Sequence, residues 1–126
     1  METIQSIMTK KVISVTPQTT LRDAVSLLIE HKITGLPVVD ANNKVQGILS
    51  EKDFLKAFYQ ETKTVESLMT PNPVMVHVDD DLVKAFDILM ANSFRRILVH
   101  DGGKLVGLIS RSDLMPIVLE VLLDRS

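Results

Sequence analysis

Two stretches of this 126-residue chain space their apolar side chains along one helical face. Leu21, Ala24, Val25 and Leu28 stand at i, i+3, i+4 and i+7, and Leu82, Ala85, Phe86 and Leu89 repeat the spacing. Thr19 and Thr20 precede the first set and Asp79, Asp80 and Asp81 the second; these residue types cap helix starts and suit the dipole there. Upstream of each helix lies a β-branched run, VISVT or VMVHV, bounded by Pro17 or by Pro71 and Pro73, which predicts an extended strand. Downstream, 35–39 or 97–100 predicts a second strand. A turn rich in Asn or Gly and a third strand at 45–49 or 105–109 complete a hairpin. A last helix opens at Ser50 or Ser110. The order β-α-β-β-α implies a parallel pairing across the first helix and an antiparallel hairpin, hence a mixed sheet and an α+β (mixed α/β) fold class.

The pattern occurs twice because the sequence does. A shift of 61 places lays TIQSIMT on TVESLMT, and Leu21 on Leu82, Ala24 on Ala85, Leu28 on Leu89 and Asp40 on Asp101. One residue is lost in the turn, DANNK against DGGK, and the offset becomes 60 through Gly47/Gly107, Ser50/Ser110 and Asp53/Asp113. A register held along the whole chain, with its one gap in a turn, marks a duplication. The repeats divide at 1–60 and 61–126. Units of this size bury too little surface to be comfortable alone, so the expected remedy is face-to-face packing about a pseudo-twofold axis, with clefts between the halves. Pro116 interrupts the second copy and is expected to kink or end the last helix, leaving IVLEVLL to begin a new short one, available to a dimer interface.

Composition narrows the function. Fourteen basic and sixteen acidic residues leave a formal charge of -2, which disfavours long nucleic acid held by bulk electrostatics. The absence of cysteine removes disulfides, thiolate nucleophiles and Cys-bound metals and fits a reducing, cytoplasmic setting. The N-terminus lacks a signal-peptide core. The apolar tail 117–123 is far shorter than the roughly 20 residues of a membrane span, so no membrane partner is expected. His31, His77 and His100 lack metal-motif spacing, no Walker loop is present, and the expectation is a non-enzyme that requires no cofactor and holds no metal.

The heptads GILSEKD and GLISRSD carry the candidate chemistry, and they read two ways. Ser at the N-cap with an acid three residues on resembles a capping box. The same geometry presents helix-start amides and a hydroxyl to a phosphate, while Asp53 or Asp113 offers oxygens to the vicinal hydroxyls of a ribose. Upstream, HKITGLPV and NSFRRILV can supply cations. Arg95 and Arg96 are either a phosphate grip, with bidentate forks, or a solvated or ion-paired edge. His31 at a helix end is either a partner of the dipole or a ligand contact.

SIMTKKVISVTPQTTLRDAVSLLIEHKITGLPVVD with KVQGILSEKD, and SLMTPNPVMVHVDDDLVKAFDILMANSFRRILVHD with KLVGLISRSD, resemble a tandem pair of CBS domains, a Bateman module. The resemblance covers nearly the whole chain. It implies two β-α-β-β-α units joined through their sheets and a regulatory adenine nucleotide, AMP, ADP or ATP, bound between them; S-adenosylmethionine is the other adenosyl ligand it allows. It also implies a homodimer and a target protein. On that resemblance Asp53 and Asp113 hold ribose, and Ser50 and Ser110 lie near phosphate. His31, Lys32, Thr34, Arg95 and Arg96 match phosphate-contacting positions. Adenine walls fall around Val12 and Ile13, Val74 and Met75, Ile33 and Phe94. The second copy departs from LPVVD, with Leu98 and His100 in place of Pro37 and Val39. The competing reading is a ligand-free dimerisation or docking scaffold whose heptads are caps alone.

Overall fold

The computed structural model describes residues 2–59, 64–92 and 95–126. In chain order the elements are α1 (Ile4–Ile7), α2 (Leu21–His31), β1 (Gly35–Val39), β2 (Val45–Ser50), α3 (Glu51–Leu55), β3 (Thr70–Pro71), β4 (Met75–His77), α4 (Leu82–Ala91), β5 (Arg96–Asp101), β6 (Lys104–Ser110) and α5 (Arg111–Arg125). Thr20 and Asp81 start α2 and α4 as the sequence predicts. Thr20 Oγ1 accepts the Asp23 N–H at 3.1 Å, and Asp81 Oδ1 accepts the Val83 N–H at 2.9 Å.

The chain forms two compact units. Ile13–Pro73 is contiguous; the other is composite, joining Met1–Val12 to Val74–Ser126. In the contiguous unit β1 and β2 form the expected hairpin, with Gly35 opposite Ser50, and β3 adds to the far edge of β2 through Thr70 opposite Ile48. In the composite unit β4 runs parallel to β5 and β5 antiparallel to β6. Thr9 then takes the place that Thr70 takes in the other unit, exchanging N–H···O bonds of 2.8 and 3.0 Å with Leu108. The segment that opens each sequence repeat therefore closes the sheet built from the other repeat.

Gly47 and Gly107 make this closure geometrically possible. A Cβ on Gly47 would stand 2.7 Å from the Thr70 carbonyl oxygen and 2.9 Å from Met69 Sδ. A Cβ on Gly107 would collide with the Met8 side chain and crowd the Thr9 carbonyl. The paired SIMT and SLMT motifs and the two heptad glycines are thus one packing device, a methionine laid over a bare strand position.

Each unit buries one set of equivalent side chains. Val15, Leu21, Ala24, Leu28, Leu36, Val38, Leu49, Phe54 and Val65 form the contiguous core. Val76, Leu82, Ala85, Leu89, Ile97, Val99, Ile109 and Leu114 repeat it in the composite core, where Ile4 stands where Val65 does.

Two expectations are corrected. VISVT is not a strand but a single parallel bridge from Val15 to Val38. The Thr16 N–H is taken by Thr19 Oγ1 at 3.0 Å and Pro17 has no N–H, so the chain turns toward α2 directly after Val15. Nor does Pro116 end the last helix, since α5 continues to Arg125 with the proline inside it. Buried Leu114 and Ile117 anchor the helix on both sides of the proline, and Ser112, whose carbonyl loses its i+4 donor, is exposed to water.

Asp80 accepts the His77 N–H at 2.8 Å and an ammonium hydrogen of Lys84 at 3.1 Å. The backbone bond first, and Lys84 second, hold its carboxyl below the ordinary aspartate range. A folded-state pKa below the unfolded one gives stability that is present above the unfolded value and lost as pH falls through the folded value. Asp80→Asn should therefore lower the melting temperature at neutral pH, with the gap to wild type closing in acid. Ile4, fully buried, gives the sharper test of the closure. Ile4→Ala is expected to cost about 2–5 kcal/mol, against less than about 0.5 kcal/mol for the exposed Gln5→Ala, by urea denaturation.

Candidate functional site

Both heptads place a serine where a strand passes into a helix. Ser50 and Ser110 are extended, with ψ of 167° and 166°, and the next residue is helical. Asp53 Oδ2 accepts the Ser50 N–H at 2.9 Å and the Ser50 hydroxyl at 3.1 Å. Asp113 Oδ2 accepts the same two groups of Ser110 at 2.8 and 3.0 Å. These bonds are the capping arrangement, and each aspartate makes them with one oxygen. Among the described residues no hydrogen bond occupies Oδ1 of either half-buried aspartate. That oxygen has two lone pairs for a diol.

The serine hydroxyl hydrogen is directed at the carboxylate in both units. It reaches a phosphate only by turning from it. In the composite unit the Ser110 and Ser112 hydroxyls are also 2.8 Å apart. The first helix amide is committed too: the Glu51 N–H donates to the Thr34 carbonyl at 3.0 Å and the Arg111 N–H to the Arg95 carbonyl at 3.2 Å. These bonds seat Thr34 beside Ser50 and Arg95 beside Ser110, while Arg96 pairs with Ser110 across the hairpin. Arg95 is exposed and makes no ion pair among the described residues.

The other sequence candidates spread around these edges. Lys32 and Thr34 line a groove of about 450 Å³ between α2 and α3, together with Ile33, Glu51, Phe54 and others. Ser50, Asp53, Ile13 and His31 do not line it. Lys32 caps α2 in the left-handed conformation, with φ 53°, and His31 is exposed in the last turn. Ile13 packs against the contiguous core. Met75 is half-buried on β4 opposite Leu98. Val12 is half-buried, Val74 exposed, and Phe94 lies outside the described residues. Sequence reasoning passed over Arg111 and Glu51, which occupy equivalent first-turn positions with opposite charge. Their placement directly after the two cap serines was the signal.

The CBS domain family matches residues 4–60 and again residues 65–120. The chain is a tandem pair of CBS domains. The pair resembles CBSX2 of Arabidopsis thaliana, solved in complex with AMP, at a TM-score of 0.86 and 35% identity, covering 96% of this chain and 98% of that one. It also resembles the CBS domain pair of protein MJ0100, solved with 5'-methylthioadenosine and S-adenosyl-L-methionine, at a TM-score of 0.81 and 27% identity, covering 93% and 95% of the two chains. CBS domains also sit within enzymes. Inosine-5'-monophosphate dehydrogenase of Methanocaldococcus jannaschii is 35% identical over 107 residues, which are 84% of this chain and 21% of that enzyme's length. Among the described residues no helix is long and apolar enough to cross a membrane.

The cap bonds separate two roles of one residue. Asp113→Ala removes both bonds and is expected to cost about 0.5–2 kcal/mol. Asp113→Asn keeps an accepting oxygen and is expected to cost less than about 0.5 kcal/mol. Thermal denaturation of the two variants beside wild type checks the difference.

Proposed function

We propose that this CBS pair is a regulatory sensor of adenine nucleotides of the AMP, ADP or ATP type, with no catalytic step of its own. The observation that carries the reading is the same open carboxylate oxygen in both units, fixed by the same two bonds to the cap serine. Asp53 and Asp113 would hold the ribose hydroxyls. Arg95 and Arg96, and on the other edge Lys32 and Thr34 with His31, would face the phosphate, with Ser50 and Ser110 near it. Ile13 and Met75 would flank the base. The AMP complex of CBSX2 and the adenosyl complexes of MJ0100 support the ligand class. A ligand held more tightly in one arrangement of the protein than in another shifts the population toward it, and a target protein reads that shift.

Isothermal titration with AMP, ADP, ATP and S-adenosylmethionine tests the reading. Saturable heat with at least one of them is expected, lost by about tenfold or more in affinity when Asp53→Asn and Asp113→Asn are combined. Absence of heat and of thermal shift with all four at millimolar concentration would overturn it.

A second reading, homodimerisation, is favoured by exposed apolar side chains at equivalent positions of the two units. Ile29 and Leu55 in one are 73% and 70% exposed, and Met90 and Met115 in the other are 81% and 54% exposed. Burying such side chains is what a partner face supplies. Sedimentation equilibrium is expected to give twice the 14.0 kDa chain mass, and Leu55→Glu with Met115→Glu to return it to the monomer.

A further inference from the structure

The two serine–aspartate edges are built alike but charged differently. Thr34, Gly35 and Glu51 of the contiguous unit stand where Arg95, Arg96 and Arg111 stand in the composite unit. The backbone contacts are equivalent, because Glu51 donates its N–H to Thr34 as Arg111 does to Arg95. The side chains that follow have opposite sign. Arg111 Nη2 donates to the Asn92 carbonyl, just after α4, at 3.4 Å. The backbone contacts of Arg95, Arg96 and Arg111 place these residues on one edge with Ser110. On the other edge Glu51 lines the α2–α3 groove with Lys32 and Thr34. Lys52 adds a cation there, where the composite unit has Ser112, so with the cap aspartates counted the contiguous edge carries no formal net charge against two positive on the composite edge.

We infer that the two edges sort adenosyl ligands by charge, with Arg111 and Glu51 as the residues that decide it. The composite edge selects a phosphorylated adenosyl ligand, and more strongly the more phosphates it carries. The contiguous edge favours an adenosyl ligand without phosphate, uncharged or cationic. The inference rests on the adenosyl-sensor reading above. Its physical basis is local: the guanidinium groups of Arg95 and Arg111 would meet phosphate oxygens with charge-assisted bonds, whereas Glu51 would repel them at the equivalent place. Neither residue takes part in the aspartate cap, and both are exposed.

The test is titration of ATP, AMP and 5'-methylthioadenosine into wild type, Arg111→Glu, Glu51→Arg and Arg125→Glu. Arg125, at the far end of α5, changes net charge equally and controls for general electrostatics. Asp53→Asn and Asp113→Asn assign each binding event to an edge. Arg111→Glu is expected to weaken ATP at the Asp113 edge by about tenfold or more and to leave 5'-methylthioadenosine unchanged. Glu51→Arg is expected to strengthen AMP and ATP at the Asp53 edge, and Arg125→Glu to change nothing. Equal loss of ATP and 5'-methylthioadenosine in Arg111→Glu, or equal loss of ATP in Arg125→Glu, would overturn the sorting while leaving the sensor reading intact. Absence of binding by all three to wild type, and by ADP and S-adenosylmethionine, overturns the sensor reading itself. Arg111→Gln provides the same comparison should Arg111→Glu fail to fold.

Discussion

Each sheet depends on a backbone pairing supplied from outside its own repeat. Thr9 bonds Leu108 in both directions, and Thr70 pairs with Ile48 on the equivalent edge. Without these segments the outer edges of β6 and β2 would present unpaired donors and acceptors, a costly exposure and an invitation to further strands. The pairing brings Met8 over Gly107 and Met69 over Gly47, and it carries Ile4 and Val65 to fully buried positions in the cores. The glycine that opens each heptad is therefore fixed by sheet closure, while the serine and aspartate that follow are fixed by the helix start.

This division shows why capping and binding are not rival explanations of the heptad. An aspartate that spends one oxygen on the cap has its carboxylate held in place by two short bonds, so the position of its second oxygen is fixed as well. A free side chain would have to be ordered on binding. The cap uses one oxygen of the group and leaves the other to the proposed ribose contact.

Much of this was legible in the residues. The helical faces appear where the spacing of Leu21, Ala24 and Leu28 puts them, the hairpins where Asn and Gly turns put them, and the caps at Thr20 and Asp81. These are local effects, readable within a window of a few residues. VISVT misled because its β-branched composition says nothing of the Thr16–Thr19 turn that ends it. Pro116 misled because its cost is local while its compensation, the burial of Leu114 and Ile117, is tertiary. The exchange of opening segments could not be read at all, since a duplicated sequence is equally consistent with each repeat closing its own sheet. At the candidate site, the serines and aspartates were legible as a pair. That the hydroxyls point to the carboxylates, and that the Arg111 N–H reaches the Arg95 carbonyl, depend on how β6 meets α5.

The exchange also sets an order in time. Ile13–Pro73 is an unbroken segment, so every contact it needs is present once that length of chain has been made, and its contacts are comparatively local. The composite unit joins the first residues of the chain to the last. Its opening strand segment must wait through the synthesis of the whole contiguous unit before Leu108 exists to pair with it, and the loop closed by that pairing is long. The contiguous unit can therefore begin to form before the composite unit has all of its segments.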